Sequence, residues 1–247
     1  MVASALALSR AGQWTLALRL LDAAPDTEEA RLAAANVALD CDWFTGSSVA
    51  EGRLGTLAGS TGWDVDFLRL RHLYRQQLIT GRPHADALVS AAGALCASAP
   101  DSTRRGWAHM YQGLIADNVV GDASAASGHY ERALGTDDPL LTREALRHLG
   151  GHDHDAGDYE RARERWEEAT ALGAGAGAVV GTLSQQMLLA VLARDTGDEA
   201  GALALAREIA RWTGALGART TEAQARAFLD GVDPTRVLPG AAVSSGR

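Results

Sequence analysis

The chain has no lysine: all 23 of its basic residues are arginine, set against 31 acidic ones in 247 residues, for a net charge of −8. Phosphate backbones are held by clustered cations, and no basic stripe interrupts this acidic sequence, so direct nucleic-acid binding is not expected. The absence of lysine reads as the codon bias of a GC-rich, bacterial genome. Phe, Tyr and Trp make up only 5% of the chain, too few for a β-sandwich, whose strands need many aromatic and β-branched positions. The only two cysteines, Cys41 and Cys96, sit in apolar stretches without metal-ligand spacing. They exclude a disulfide scaffold and suggest buried, reduced thiols in a cytoplasmic protein. No positive charge precedes the short apolar run "MVASALALSR", so no secretory signal is expected. The one long uncharged run, residues 169–193, is interrupted by glycines and by Gln185 and Gln186, which makes insertion into a bilayer costly.

What the sequence does have is 49 alanines and 27 glycines, a balance suited to closely packed helices. Six glycines recur in similar surroundings, Gly12, Gly46, Gly81, Gly121, Gly157 and Gly197, separated by 34, 35, 40, 36 and 40 residues. Five residues after the glycine stands an alanine in four units (Ala17, Ala126, Ala162, Ala202), and nine after it a large side chain such as Leu21, Tyr130 or Trp166. Twelve after it a small residue recurs in five units, with Ile209 as the exception. Offsets of five, nine and twelve share one helix face, so each glycine ends one helix and a second begins at once. Each unit is a helical hairpin that must stack on its neighbours to bury that face.

Start signals fit the same division. Asp26 with Glu29 resembles a capping box, Asp138 with Pro139 a cap followed by first-turn proline, and Pro83 opens a helix in the same way. Thr221 is expected to cap a short final helix through Leu229. The stretch "LGAGAGAVVG" reads as a loose connection, since it follows a helix and not the strand that a dinucleotide loop requires.

The segments "GDYERARERWEEATALG" and "GDASAASGHYERALGTDDP" resemble the second helix of a tetratricopeptide repeat. The resemblance runs over about residues 1–215, strongest from 107 to 210, and it implies an all-α fold: a right-handed α-solenoid of about six hairpins with a short C-terminal capping helix. Residues 1–230 would form the array and 231–247 a flexible tail. Similar arrays serve as regulatory and assembly adaptors, including parts of actinobacterial regulators, and their first helices line a concave groove that receives a protein or peptide.

Under that resemblance the residues ten, six and three before each turn glycine face the groove. These are Arg71, Arg75 and Leu78; Tyr111, Ile115 and Asn118; Arg147, Gly151 and His154; and Met187, Val191 and Arg194. Arginines beside apolar and amide groups suit an acidic or carboxylate-bearing peptide; an extra residue in the fourth unit would turn Tyr111 and Asn118 out of line. The expected function is therefore a non-catalytic scaffold or adaptor with no cofactor and no membrane segment. A small-molecule sensor using the same groove is the alternative.

One dense cluster needs a separate reading. In "HLGGHDHDAGDYERARERW", His148, His152 and Asp155 share a helix face, and two imidazoles at that spacing suit zinc or nickel. The His154–Asp155 pair of "HDAGD", with His129 upstream and Asp195 downstream, also suggests the HD-type metal-dependent phosphohydrolases, although their apolar surroundings and following lysine are missing. A polar helix end is the simpler expectation, with no metal. At the N-terminus, "VASALAL" is apolar where a capping helix should be polar, which suggests that a second copy, as in a homodimer, or another protein covers it.

Overall fold

The computed structural model describes residues 1–81 and 84–233, and every regular element among them is helical. The helices pair in sequence: α1 (Val2–Arg10) with α2 (Trp14–Asp22), α3 (Glu28–Thr45) with α4 (Ala50–Gly55), and α5 (Trp63–Thr80) with α6 (Ala85–Ala97). Next come α7 (Ser102–Ile115), prolonged by a π-helical turn (Ala116–Val120), with α8 (Ala123–Ala133); α9 (Pro139–Asp155) with α10 (Tyr159–Gly175); and α11 (Val179–Asp195) with α12 (Glu199–Leu216). The last helix, α13 (Arg219–Leu229), packs on α12 and α11. All six glycines of the period lie at positive φ, the backbone region in which only glycine escapes a Cβ clash. The hydrophobic core is accordingly a string of separate buried clusters along the array.

Two hairpins show what the small residues accomplish. Trp166 is 1% exposed and lies against Gly150, where a Cβ would stand 2.5 Å from the indole Nε1. Tyr130 lies against Gly113 in the same way, 2.4 Å from the position a Cβ would take. Gly150 precedes its turn glycine by seven residues and Gly113 by eight. The π-helical turn between Gly113 and Gly121 absorbs the additional residue, since it widens one turn of the helix by one residue.

Several start signals differ from expectation. Asp138 does cap α9, accepting from the N–H of Leu140 at 2.9 Å and of Leu141 at 3.3 Å, with Pro139 first in the helix. At α3 the cap is Thr27 rather than Asp26: the Thr27 hydroxyl accepts from the Ala30 N–H at 3.2 Å, while Asp26 is turned to Arg31 at 2.6 Å. Thr27→Ala is therefore expected to lower stability by about 1 kcal/mol in urea unfolding, and Asp26→Ala by well under half of that. Thr221 does not cap α13, which starts two residues earlier after Ala218; Thr221 is buried inside the helix. Pro83 and residues 234–247 of the expected tail lie outside the described residues.

The stretch read as a loose connection is a tight turn. Gly173 and Gly175 belong to α10 and Gly181 to α11, leaving only a short link around Gly177. Gly173 and Gly181 face side chains from other helices at close range, so the glycines admit neighbours and do not loosen the chain. The two thiols are half-buried, Cys41 near Thr45 and Ser47 and Cys96 near His109.

The array returns on itself. α1 touches α11, and α3 touches α13. One buried cluster joins Trp14, Ala34 and Val37 from the start of the chain to Val180 and Ala218 near its end. The apolar face of the first hairpin is thus covered in part by the same chain. Among the described residues no helix is long and apolar enough to cross a membrane.

Candidate functional site

Inside this closed array, the first helices of successive hairpins turn polar side chains toward one another. Arg71 on α5 reaches back to α3, where it donates to the Asn36 side chain and, at 2.7 Å, to Asp40. Asp40 also accepts from Ser9 of α1 at 3.5 Å. On its other side Arg71 lies close to Tyr111 of α7, its charge opposing the effect of burial on that phenol; the Tyr111 ring stands edge-on to Tyr74 and Phe67. Asn118 donates to the Tyr74 hydroxyl at 3.0 Å. Both residues of the fourth unit therefore stay with the third-unit residues, extra residue notwithstanding.

Arg147 on α9 lies in the electrostatic field of Tyr74 and Tyr130, and burial lowers its pKa. Its Nε finds no acceptor within the protein. Arg75 points to one end of the array, donating to the carbonyls of Asp42 at 2.9 Å and Ser47 at 3.1 Å. There it lines a cavity of about 250 Å³ with Trp43, Leu78, Ile79 and Thr220.

Other candidate positions go elsewhere. Met187 and Val191 are buried against α12 and α13. Arg194 stacks over Phe228 of α13 at 3.5 Å, donates to the Phe228 carbonyl at 3.1 Å and pairs with Glu199. An offset rule that assumes an open inner face fails here because the last helix occupies it. His154 is bonded to Asp195 at 2.8 Å and packed by Trp166 and Tyr159, so it ties the end of α9 to the end of α11.

The histidine cluster is divided among its neighbours in the same manner. The two ring nitrogens of His152 meet Asp117 at 3.0 Å and Ser127 at 2.7 Å, and the Tyr130 hydroxyl donates to Asp117 at 3.1 Å. His148 is stacked on Tyr130, centroids 5.0 Å apart. Asp153 turns the opposite way, to Arg165 at 3.0 Å, and His129 lies beside His109. Among the described residues no group of three or more His, Cys, Asp or Glu side chains is placed to hold a metal ion.

The His152 environment has a pH consequence. The hydrogen bond to Asp117 raises the His152 pKa above its ordinary 6.5, against the opposing effect of burial. Burial pushes His148 down to about 3, with Arg147 adding to the effect. A raised histidine stabilises the fold at low pH and loses that contribution as pH climbs through the folded value; a depressed one costs stability as pH falls below the unfolded value. The melting temperature should thus peak near the ordinary histidine pKa. His152→Gln should flatten the decline above the peak and His148→Gln should reduce the decline below it.

Sequence comparison adds no relative. No family model, curated protein or solved structure matches the chain. The site consequently rests on its geometry alone. Asn36 and Asp40 belong to it as well: they stand ten and six residues before Gly46, so the offsets that mark the later units also mark these two. Arg143, Thr182 and Gln185 also lie inward with polar atoms that have no acceptor or donor in the protein. Arg143 continues the Arg147 stripe one turn earlier, whereas nothing in the sequence marks Thr182.

Proposed function

We propose that the protein is a non-catalytic binding component of a regulatory system in the cytoplasm, built as a right-handed α-solenoid of about six tetratricopeptide-like hairpins with α13 as its cap. It holds a partner and reports that partner's presence by contact. The reading is supported by the meeting of side chains from α3, α5, α7 and α9 on a shared inner side, with Arg71 bonded to α3 and its charge felt by Tyr111 of α7. The family resemblance supplies the output, a protein or peptide partner. The first hairpin, with Leu16 half exposed, is where a second copy would dock.

One observation favours a small molecule as the input. The contacts of α1 with α11 and of α3 with α13 turn Arg71, Tyr74, Tyr111 and Arg147 into an interior, where a peptide would have to separate helices to enter. The hydrolase alternative would need His129 together with His154, Asp155 and Asp195; His154 meets Asp195, but His129 lies beside His109.

Thermal-shift measurement over a metabolite panel tests the reading. A compound giving a saturable rise in Tm supports sensing. A silent panel together with a stoichiometric co-purifying protein supports the adaptor. Metal-dependent phosphoester hydrolysis by the purified protein would overturn both.

A further inference from the structure

Five polar side-chain atoms on Arg143, Thr182 and Gln185 are buried without a hydrogen-bond partner in the protein: Nε and Nη1 of Arg143, Oγ1 of Thr182, and Nε2 and Oε1 of Gln185. Arg143 is 8% exposed and Gln185 fully buried. The two helices that carry them, α9 and α11, have been shaped to bring them together. A Cβ at Gly173 would lie 3.0 Å from Arg143 Cδ and 2.7 Å from Thr182 Oγ1, and a Cβ at Gly181 would lie 2.2 Å from Arg143 Nη1. The guanidinium therefore lies over the glycine of α11, beside Thr182, and Gln185 stands one helical turn beyond Gly181 on the same face. Arg147 stands one turn after Arg143 on α9 and adds its own unpartnered Nε.

Charge does not balance locally. Arg143 reaches the adjacent Glu144 through Nη2, and Asp40, the carboxylate whose charge also acts on it, is already taken by Arg71 and Ser9. Burial and the proximity of Arg147 push the Arg143 pKa down to about 10, with Asp40 opposing the shift. A buried arginine with open donors, beside a half-buried one whose Nε is also unpartnered, is costly unless an anion meets them. In a protein of net charge −8, this is a concentration of positive charge turned away from solvent.

We infer that the interior between α9 and α11 binds a small organic anion, a carboxylate or a phosphate monoester, whose oxygens accept from the Arg143 and Arg147 guanidiniums while Thr182 and Gln185 bond its neighbouring polar groups. The inference rests on the small-molecule form of the reading above and specifies the ligand's chemistry. The Gln185 amide offers a donor and an acceptor together, so the fitting ligand carries a hydroxyl or amine near its charged group.

The test is a melting-temperature titration of the full chain with succinate and with inorganic phosphate, each against chloride at matched ionic strength, with succinamide as the uncharged control. The expected result is a saturable rise for at least one anion, on the order of 5 °C at a hundred-fold excess over its Kd, and none for succinamide. The stronger arm distinguishes a carboxylate from a phosphate ligand. Arg143→Met should melt at the same temperature or higher without anion, since it removes an uncompensated buried charge, and should lose the response at least ten-fold in affinity. Gly181→Ala keeps every charge and a good helix former, displaces the guanidinium, and should weaken the response too.

Absence of any anion response in the unaltered protein overturns the inference, as does a response that both variants retain. Should Arg143→Met fail to fold, the Nε–Hε resonances of Arg143 and Arg147 in the unaltered protein decide: they shift on titration, or the inference falls. A neutral metabolite that raises Tm equally in Gly181→Ala and the unaltered chain removes the anion while leaving the sensing reading in place.

Discussion

Trp166→Ala is expected to cost about 3–5 kcal/mol, a large share of the stability of an ordinary domain. The indole is 1% exposed and fills the space that Gly150 leaves between α9 and α10. Its Nε1 donates to the Arg147 carbonyl at 2.9 Å, and its ring adjoins His154. The loss therefore combines removal of a large buried apolar surface, a cavity between two helices and a missing donor to a carbonyl. Trp212→Ala serves as the control, since that ring is 50% exposed; its cost should stay below about 1 kcal/mol. Urea denaturation with equal m-values for the two variants checks the comparison, and similar costs would show that the Gly150 contact is not the determinant.

The second large effect concerns the contact between the ends of the array. Gly12 has φ +81, and a Cβ there would stand 2.9 Å from Val180 Cγ2 and 4.0 Å from Leu216 Cδ2. Gly157 has the same φ, +81, with nothing within 4 Å of its would-be Cβ. Gly157→Ala should consequently cost only the backbone strain, about 1–2 kcal/mol. Gly12→Ala should cost roughly 2–4 kcal/mol, because the same strain is joined by displacement of Val180 from the cluster with Trp14 and Val37. Equal costs for the two variants would mean that the junction of α1 with α11 yields freely.

Much of the hairpin organisation was legible because its signals are local. A left-handed turn favours glycine whatever surrounds it, and a large residue nine positions later meets a small one on the preceding helix. Trp166 meets Gly150 in this way, and Tyr130 still finds Gly113 once the π-helical turn takes up a residue. Cap identity was less legible: Asp26 and Thr27 are adjacent potential caps, and Arg31 decides between them by drawing Asp26 away. The candidate site was half legible. The offsets point Arg71, Tyr111, Asn118 and Arg147 to one side, whereas Met187 and Arg194 pack against α13, a covering that no offset signals. The packing of Val180 and Ala218 against Trp14 has no periodic signature at all, since it joins segments more than 160 residues apart.

That junction also fixes how many hairpins the protein can have. In an open stack each repeat contributes its own increment, so units can be gained or lost at either end and the remainder persists. Here a deleted or duplicated hairpin would put Val180 out of register with Trp14 and expose both surfaces, so the count is locked by geometry. Unfolding should then proceed as one event in place of fraying inward from the termini, with amides of α1 and α11 exchanging at comparable rates. Evolution of such a chain is confined to changing its inward side chains, because the contacts of α1 with α11 and of α3 with α13 fix the number of helices between them.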